Sequence, residues 1–578
     1  MCVKPSDHAG AGPRGARGDE GFALIAVMIS MGVLTLFLLA TLGYAVHEMP
    51  QSRKDQDAKT AQAAAQAGLE DFLARLNSDG DYWQSTDSAN LAFSTGKAIP
   101  GTGGDKGSFT YQVLSTVQDV GDTGTLRVQV TGRSRGVTRK VTTSLRPVGF
   151  LKYVYYTDIE ATDPALYTQV VSVNGATSSS NGDYSAKATT LTRLCSQYYY
   201  AGRKAPVTYS ASTTDPLYAT NSGGHVTTTT NGTVVTVTCS NIQWTTGDVV
   251  DGPLHSNDAL RVEGSARFTS EQTETGWLPT SPLPATPGHA WWGGGTPDAA
   301  GYQPTGYPRV DLPDSNSKLL DAAVKSGCVY TGATKITFAE GVMKVKSPNT
   351  TTSSRPGCFT PGLRADEQVI SPIPPAVYVR AASGTCTGVG FPIASEATTS
   401  AGVVVGPGPN HNPCNANAYV SGVLAGRTTI GAANDIVIIG DTTYRNGTTG
   451  TDVLGLIADN YIWVYKPVNS SGTNLLPTAA TPTTPSMPEV HNIQAAILSV
   501  GHSFVVQSYA YGDPLAGKLN VTGSISQKYR GPVGTGTAAA ASHGYLKNYV
   551  YDPRLLRIPP PFFLQPRQAP WVVGQVSG

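Results

Sequence analysis

The stretch Phe22–Val46, FALIAVMISMGVLTLFLLATLGYAV, runs for 25 residues without one charged side chain. A helix needs about 20 apolar residues to cross a bilayer, so this run is long enough to span one. Lys4, Arg14 and Arg17 precede it. The bias of cationic residues toward the cytoplasm therefore places the N-terminus inside and everything after His47 outside. A cleaved secretory signal has an apolar region of only about 7–15 residues, and this run is too long for that reading. The helical pattern continues past the run. Ala58, Ala61, Ala65, Leu69, Phe72, Leu73 and Leu76 recur at three- and four-residue spacing, which makes one face of 56–77 apolar. Pro50 is expected to interrupt and kink the connection, and Asn77-Ser78-Asp79-Gly80 supplies a stop.

Beyond the helix, residues 108–117, 125–134 and 137–146 alternate apolar and polar side chains, with turn signals at Gly121–Gly124 and Gly136. They read as three antiparallel strands able to pack on the apolar face of the helix. From Phe150 the texture changes to short β-branched segments punctuated by Gly and Asn: 259–268, 335–346, 418–430, 435–441, 460–466, 503–507 and 518–526. Three of them open on an Asn/Asp pair, at Asn257-Asp258, Asn434-Asp435 and Asp459-Asn460. A parallel β-helix would stack such residues at its corners, coil upon coil. A β-sandwich with the same turns is the competing architecture. The expected fold class is α+β: a leader at 1–21, a transmembrane helix at 22–46, an amphipathic extension at 47–80, a small antiparallel sheet at 81–149 and a large, mostly β exported domain at 150–578.

Composition agrees with export. Charged residues are only 14% of the chain, against roughly 25% in soluble globular domains. The net charge of +1 argues against a general nucleic-acid binder, which carries a basic excess. Cys2 lies in the leader, and six cysteines follow far downstream: Cys195, Cys239, Cys328, Cys358, Cys386 and Cys414. Six cysteines allow 15 pairings. Pairing of sequence neighbours (195–239, 328–358, 386–414) keeps each loop local, and no C-x-x-C supports a zinc or redox motif.

A polar leader ending at Gly21, then Phe22, then an apolar helix running into an amphipathic one, resembles a type IV pilin precursor. The segment QDAKTAQAAAQAGLEDFLARLN (56–77) looks like the N-terminal domain of PilX-type minor pilins. The resemblance implies cleavage between Gly21 and Phe22 by a prepilin peptidase, with the new N-terminus often methylated. It also implies contact with other pilin subunits through the helix. Ala26 stands fifth after that cut, where major pilins carry a glutamate that pairs with a neighbouring subunit. Its absence points to a minor or tip-located subunit rather than the bulk one. The exported region, including 252–260 and 547–564, is similar to large pilin-like proteins that share this N-terminus. A minor pilin of natural transformation systems, with a β-solenoid inserted into its pilin domain, offers an architectural analogy.

Catalytic patterns are missing: the sequence has no G-x-S-x-G, no P-loop and no H-E-x-x-H. His255, His411, His491, His502 and His543 are scattered along the chain. Asp158, Glu160 and Asp163 form the densest carboxylate cluster and are weak candidates for a calcium ion, which takes several oxygens. The tyrosines at 153–156 and 198–200, with Trp277, Trp291 and Trp292, offer rings for stacking on sugars or bases. No enzymatic activity and no cofactor are expected. The expected role is a minor-pilin-like structural subunit of a type IV pilus-related filament, with a large surface domain at its tip. Its partners are then the membrane, the prepilin peptidase and other pilins. The alternative is a single-pass anchored adhesion protein, outside any filament, that binds a glycan, a cell or DNA.

Overall fold

The computed structural model describes residues 20–577, apart from 81, 85–88, 100–106, 117–118, 121–124, 148, 168–191, 204–206, 211–226, 232–233, 278–288, 340, 398–405, 478–486, 537–540 and 567–570. The first 19 residues of the expected leader at 1–21 and the turn at Gly121–Gly124 lie outside the described residues. One helix, Glu20–Ser78, takes up both the apolar run and its amphipathic continuation. At 1.5 Å per residue its 59 residues extend about 90 Å. The interruption expected at Pro50 does not occur, and the helix is continuous across it. A proline forfeits one intrahelical hydrogen bond, and the bonds on either side carry the helix past it.

The second half of the helix lies on an antiparallel sheet. Its strands, in spatial order, are Lys97–Ala98, Ser108–Val113, Leu126–Ser134, Val137–Pro147 and Trp571–Ser577. Alternation along Leu126–Ser134 turns Leu126, Val128 and Val130 toward the helix. Gly132 takes the next inward position, where helix and sheet come closest. A Cβ there would stand 2.0 Å from the Ala61 carbonyl oxygen and 2.5 Å from the Ala65 nitrogen. Small side chains on the helix, Ala61, Ala64 and Ala65, allow this approach. Farther along, bulk returns as Phe72 and Leu76 pack with Tyr82, Phe109 and Tyr111. The far end is pinned by Asn77, whose Oδ1 accepts from the Trp571 nitrogen and whose Nδ2 donates to the Trp571 carbonyl at 3.3 Å.

That last strand corrects the expected domain boundary. The segment 150–578 is not one block, because Trp571–Ser577 returns to pair with Val137–Pro147. The large body is thus an insertion between the fourth and fifth strands of the small sheet.

Within the body, the main ladder is parallel throughout. Its strands, in spatial order, are Cys328–Thr331, Ala376–Arg380, Arg427–Ala432, Val453–Ala458, Asn492–Ser499, Pro514–Tyr529, Tyr155–Ile159, Leu254–Ser256, Thr273–Thr275 and Thr305–Gly306. A second parallel ladder joins Thr334–Ala339, Ala418–Leu424, Ile436–Tyr444, Ile462–Val464 and Phe504–Val506. Between the ladders lies one apolar core that includes Val420, Ile436, Ile438, Ile462, Val464, Phe504 and Val506. Val453–Ala458, Ile462–Val464 and Phe504–Val506, buried along their whole length, are continuously apolar, whereas Leu254–Ser256 and Thr273–Thr275 are as deeply buried but carry His255, Ser256 and Glu274. The stretch 335–346, expected as one segment, is a hairpin of Thr334–Ala339 and Val342–Lys346 turning at Gly341 (φ +83).

The chain enters the main ladder in its interior, at Tyr155 beside Ile525, runs to one end at Gly306 and restarts at the other end with Cys328. Residues 307–327 make the return as a strap across the face of the ladder, closing with the helix Ser317–Ser326. Tyr156 Oη donates to the Val310 carbonyl at 2.6 Å. Asn316 Nδ2 donates to the carbonyls of Ala432 and Ile457, at 2.7 and 3.2 Å, and Tyr378 Oη donates to Asn316 Oδ1.

Asparagines stack at two corners. Asn434 Nδ2 donates to Asn417 Oδ1 at 2.6 Å, and Asn460 Nδ2 donates to Asn434 Oδ1. In a second column Asn520 Nδ2 donates to Asn492 Oδ1 at 3.2 Å and Asn548 Nδ2 donates to Asn520 Oδ1 at 2.8 Å. Asn257 joins neither column. It sits under the strap, where its Oδ1 accepts from the Val310 nitrogen at 2.8 Å and its Nδ2 donates to the Val310 carbonyl at 2.9 Å. The Asn/Asp pair at 257–258 thus shares its sequence texture with 434–435 and 459–460, but not its place.

Candidate functional site

The longest exposed apolar surface among the described residues lies on the first half of the long helix. Leu24–Gly43 contains no charged residue, is wholly unburied, and is long and apolar enough to cross a membrane. Leu36, Phe37 and Leu39 are each about two-thirds exposed. Burial of such side chains contributes roughly 1.5–3 kcal/mol each, so leaving this half in water is costly. Its second half is already covered, by the small sheet. The junction residues Gly21 and Phe22 fall in the helix's first turn.

Asp158, Glu160 and Asp163 do not converge. The Asp158 carboxylate accepts from Tyr198 Oη at 2.7 Å and Asn257 Nδ2 at 2.9 Å, and burial pushes its pKa up. Glu160 takes Arg530 at 3.0 Å. Asp163 accepts from the Ala165 nitrogen at 2.9 Å and meets His502 Nδ1 at 2.7 Å. Among the described residues, no three His, Cys, Asp or Glu side chains are placed to hold a metal ion. The local clustering in sequence resolves into three separate attachments, each joining Tyr155–Ile159 and its continuation to a remote part of the ladder.

The histidines are likewise dispersed. His255 lies between Glu274 (3.1 Å) and Asn257 (3.0 Å), fully buried. His411 lies between Glu396 (3.0 Å) and Tyr419 Oη (2.8 Å), and Tyr465 Oη also donates to Glu396. His491 meets Glu489, and His543 Nδ1 meets the Gly512 carbonyl. Glu396 holds its charge despite burial: desolvation raises its pKa, but His411, Tyr465 and Gln507 outweigh it and the net shift is downward. Sequence reading missed the partners Glu396, Arg530 and Arg203, and marked Asp258 only as a turn residue. Arg203 and Asp258 form a buried ion pair. Nothing local in the sequence marks Glu396, Arg530 or Arg203 as paired, because their partners lie tens to hundreds of residues away.

The rings singled out for stacking are largely consumed. Tyr153, Tyr155 and Tyr156 are buried. Trp292 is stacked on Tyr199 at 4.0 Å between centroids, with the Arg261 guanidinium 5.0 Å from its ring. Trp291 stacks on His289 at 4.0 Å, and Trp277 is buried. Disulfides join Cys195 to Cys239, Cys328 to Cys358 and Cys386 to Cys414. The Cys328–Cys358 bond fastens residues 347–358 over the end of the main ladder. There the Val329 nitrogen donates to Ser354 Oγ at 3.0 Å and the Thr331 nitrogen to Thr350 Oγ1 at 2.8 Å. Side-chain hydroxyls thus satisfy donors that an uncovered edge strand would leave open.

No protein-family model matches the chain, and no curated protein matches it. Among solved structures, the competence-associated pilin ComZ from Thermus thermophilus is similar at a TM-score of 0.26 and 13% sequence identity, over 90% of this chain and 97% of that one.

Proposed function

We propose that the chain is a minor-pilin-like structural subunit of a type IV pilus-related filament, with no enzymatic role. In this reading Leu24–Gly43 anchors it in the membrane before assembly and packs among other subunits' helices afterwards. The body, a β-solenoid inserted into the small sheet, is displayed at the tip. One observation carries the reading: a single 59-residue helix is naked and apolar over its first half and packed on an antiparallel sheet over its second. A plain membrane anchor has no need of a rigid helical continuation into a sheet. The stacked parallel ladders and the two asparagine columns support the solenoid. The bulk of the body supports the tip, since an insertion of this size repeated along a filament would crowd its neighbours.

The test is immunogold labelling of sheared filaments with antibody against the body. Gold at filament ends is the expected result. Label confined to the cell envelope, with none on filaments, would instead establish the alternative of an anchored adhesion protein.

A further inference from the structure

Where the inserted body meets the small sheet, a cleft of about 460 Å³ is lined by three arginines and no acidic residue. Each arginine comes from a different part of the fold. Arg146 ends the sheet strand Val137–Pro147. Arg427 opens a strand of the main ladder. Arg557 lies on the segment that leads from the body back to the sheet. The remaining lining is Thr451, Ile558 and Pro559. Two of the guanidiniums are already oriented by main-chain carbonyls. Arg146 donates to those of Leu556 and Arg557, and Arg427 Nη2 donates to that of Pro559 at 2.8 Å. Arg146 Nε is held by Thr125 Oγ1 at 2.8 Å.

Partial burial of Arg146 weakens solvation of its charge, drawing its pKa down. The chain as a whole carries a net charge of only +1, but the small sheet that supplies Arg146 also exposes Arg127, Arg133, Arg135, Arg139 and Lys140. Guanidinium forks match tetrahedral oxyanions in geometry and bind them by paired charge-assisted hydrogen bonds.

We propose that this cleft binds a phosphate-type oxyanion, which bridges the small sheet and the inserted body and fixes one against the other. The anion's oxygens would take donors from Arg146, Arg427 and Arg557, with the Thr451 hydroxyl beside them. The cleft is level with Asn77, because Arg146 pairs with Val572 next to the Trp571 that Asn77 holds. About 50 Å of helix separates Gly43 from Asn77, so a bilayer around Leu24–Gly43 does not reach the cleft with its headgroups. The sources left are a free ion and a phosphate carried on a polyanionic chain.

The experiment is calorimetric titration of the full chain, in nonionic detergent, with inorganic phosphate and separately with linear polyphosphate. Saturable binding is expected. Arg427→Gln with Arg557→Gln, both exposed side chains, should weaken it at least about tenfold, as loss of hydrogen bonds to a charged group implies. Arg146→Lys, which keeps the charge but removes the fork, should weaken it by a smaller factor. Arg364→Gln, exposed and outside the cleft, should leave it unchanged. Tighter binding of polyphosphate per site identifies a polymer as the source, and equal binding identifies the free ion. Absence of saturable binding to both probes, or binding unaltered in the double variant while circular dichroism shows it folded, overturns the proposal.

Discussion

Replacing Gly132 by alanine tests how the helix is held. The added Cβ would stand 2.0 Å from the Ala61 carbonyl oxygen, against about 3.3–3.6 Å for an ordinary carbon–oxygen contact. Both sides of the clash are backbone, so no rotamer change relieves it, and helix and sheet must part by roughly 1.3 Å. A gap of about 0.5–1 Å already forfeits a quarter to a half of each dispersion contact. Overpacking typically costs about 1–3 kcal/mol, and a backbone clash belongs at the upper end, near 3 kcal/mol. Two other glycines calibrate the effect. Gly136 has φ +87 and open space around it, so Gly136→Ala should cost about 1 kcal/mol of conformational strain alone. At Gly68 the new Cβ would meet the Val130 and Phe109 side chains at 2.7–2.8 Å. Both side chains are buried, so overpacking of about 1–3 kcal/mol is only partly offset by the roughly 1 kcal/mol that alanine gains in a helix, and Gly68→Ala should cost less than Gly132→Ala. Hydrogen exchange of the full-length protein in micelles is the assay. Amides of Leu126–Ser134 should exchange roughly a hundredfold faster in Gly132→Ala, as about 3 kcal/mol implies. Wild-type protection in that variant, or a larger loss in Gly136→Ala, would refute the close approach.

Three further outcomes are expected. Arg530→Met leaves Glu160 buried without its cation and should destabilise the body by about 3–5 kcal/mol, whereas adding Glu160→Gln should recover much of that; urea unfolding of the two variants checks it. Burial raises the Asp435 pKa from 3.8 to about 6, so the folded state favours the protonated form. That contribution, about 3 kcal/mol, is complete below pH 3.8 and lost as pH rises through 6. Unfolding midpoints across this window should fall less steeply with pH in Asp435→Asn than in the parent. Cys328→Ser with Cys358→Ser should cost about 3–4 kcal/mol by the loop-closure account and expose the amides of Val329 and Thr331 to exchange, with Ala61–Leu76 unaffected; hydrogen-exchange mass spectrometry separates the two regions.

The helix was legible because its signal is local. An uncharged run fixes the exposed half, and Ala61, Ala65, Phe72 and Leu76 recur on the face that the sheet covers. Three strands of the small sheet were legible for the same reason, and two were not: Lys97–Ala98 is too short to show alternation. Trp571–Ser577 reads as any short apolar segment, and its partner strand lies more than 400 residues earlier. In the body, the Asn/Asp pairs pointed to Asn434 and Asn460, which do stack. The column of Asn492, Asn520 and Asn548 gave no such cue, because none of the three has an acidic residue directly beside it in the sequence. The same cue misled at Asn257, where the strap and not the corner decides its partners. Arg146, Arg427 and Arg557 are brought together only by the insertion of the body into the sheet. Their convergence is a property of the topology, with no trace in any local pattern.

The reading as a filament subunit is tested most directly by the mature N-terminus. Intact-mass and N-terminal analysis of the chain co-expressed with a prepilin peptidase should find Phe22 first and a product shorter by the 21 leader residues. Gly21→Val should abolish that shortening. A mature N-terminus that is the same in parent and Gly21→Val would contradict the account and leave a plain membrane anchor in its place.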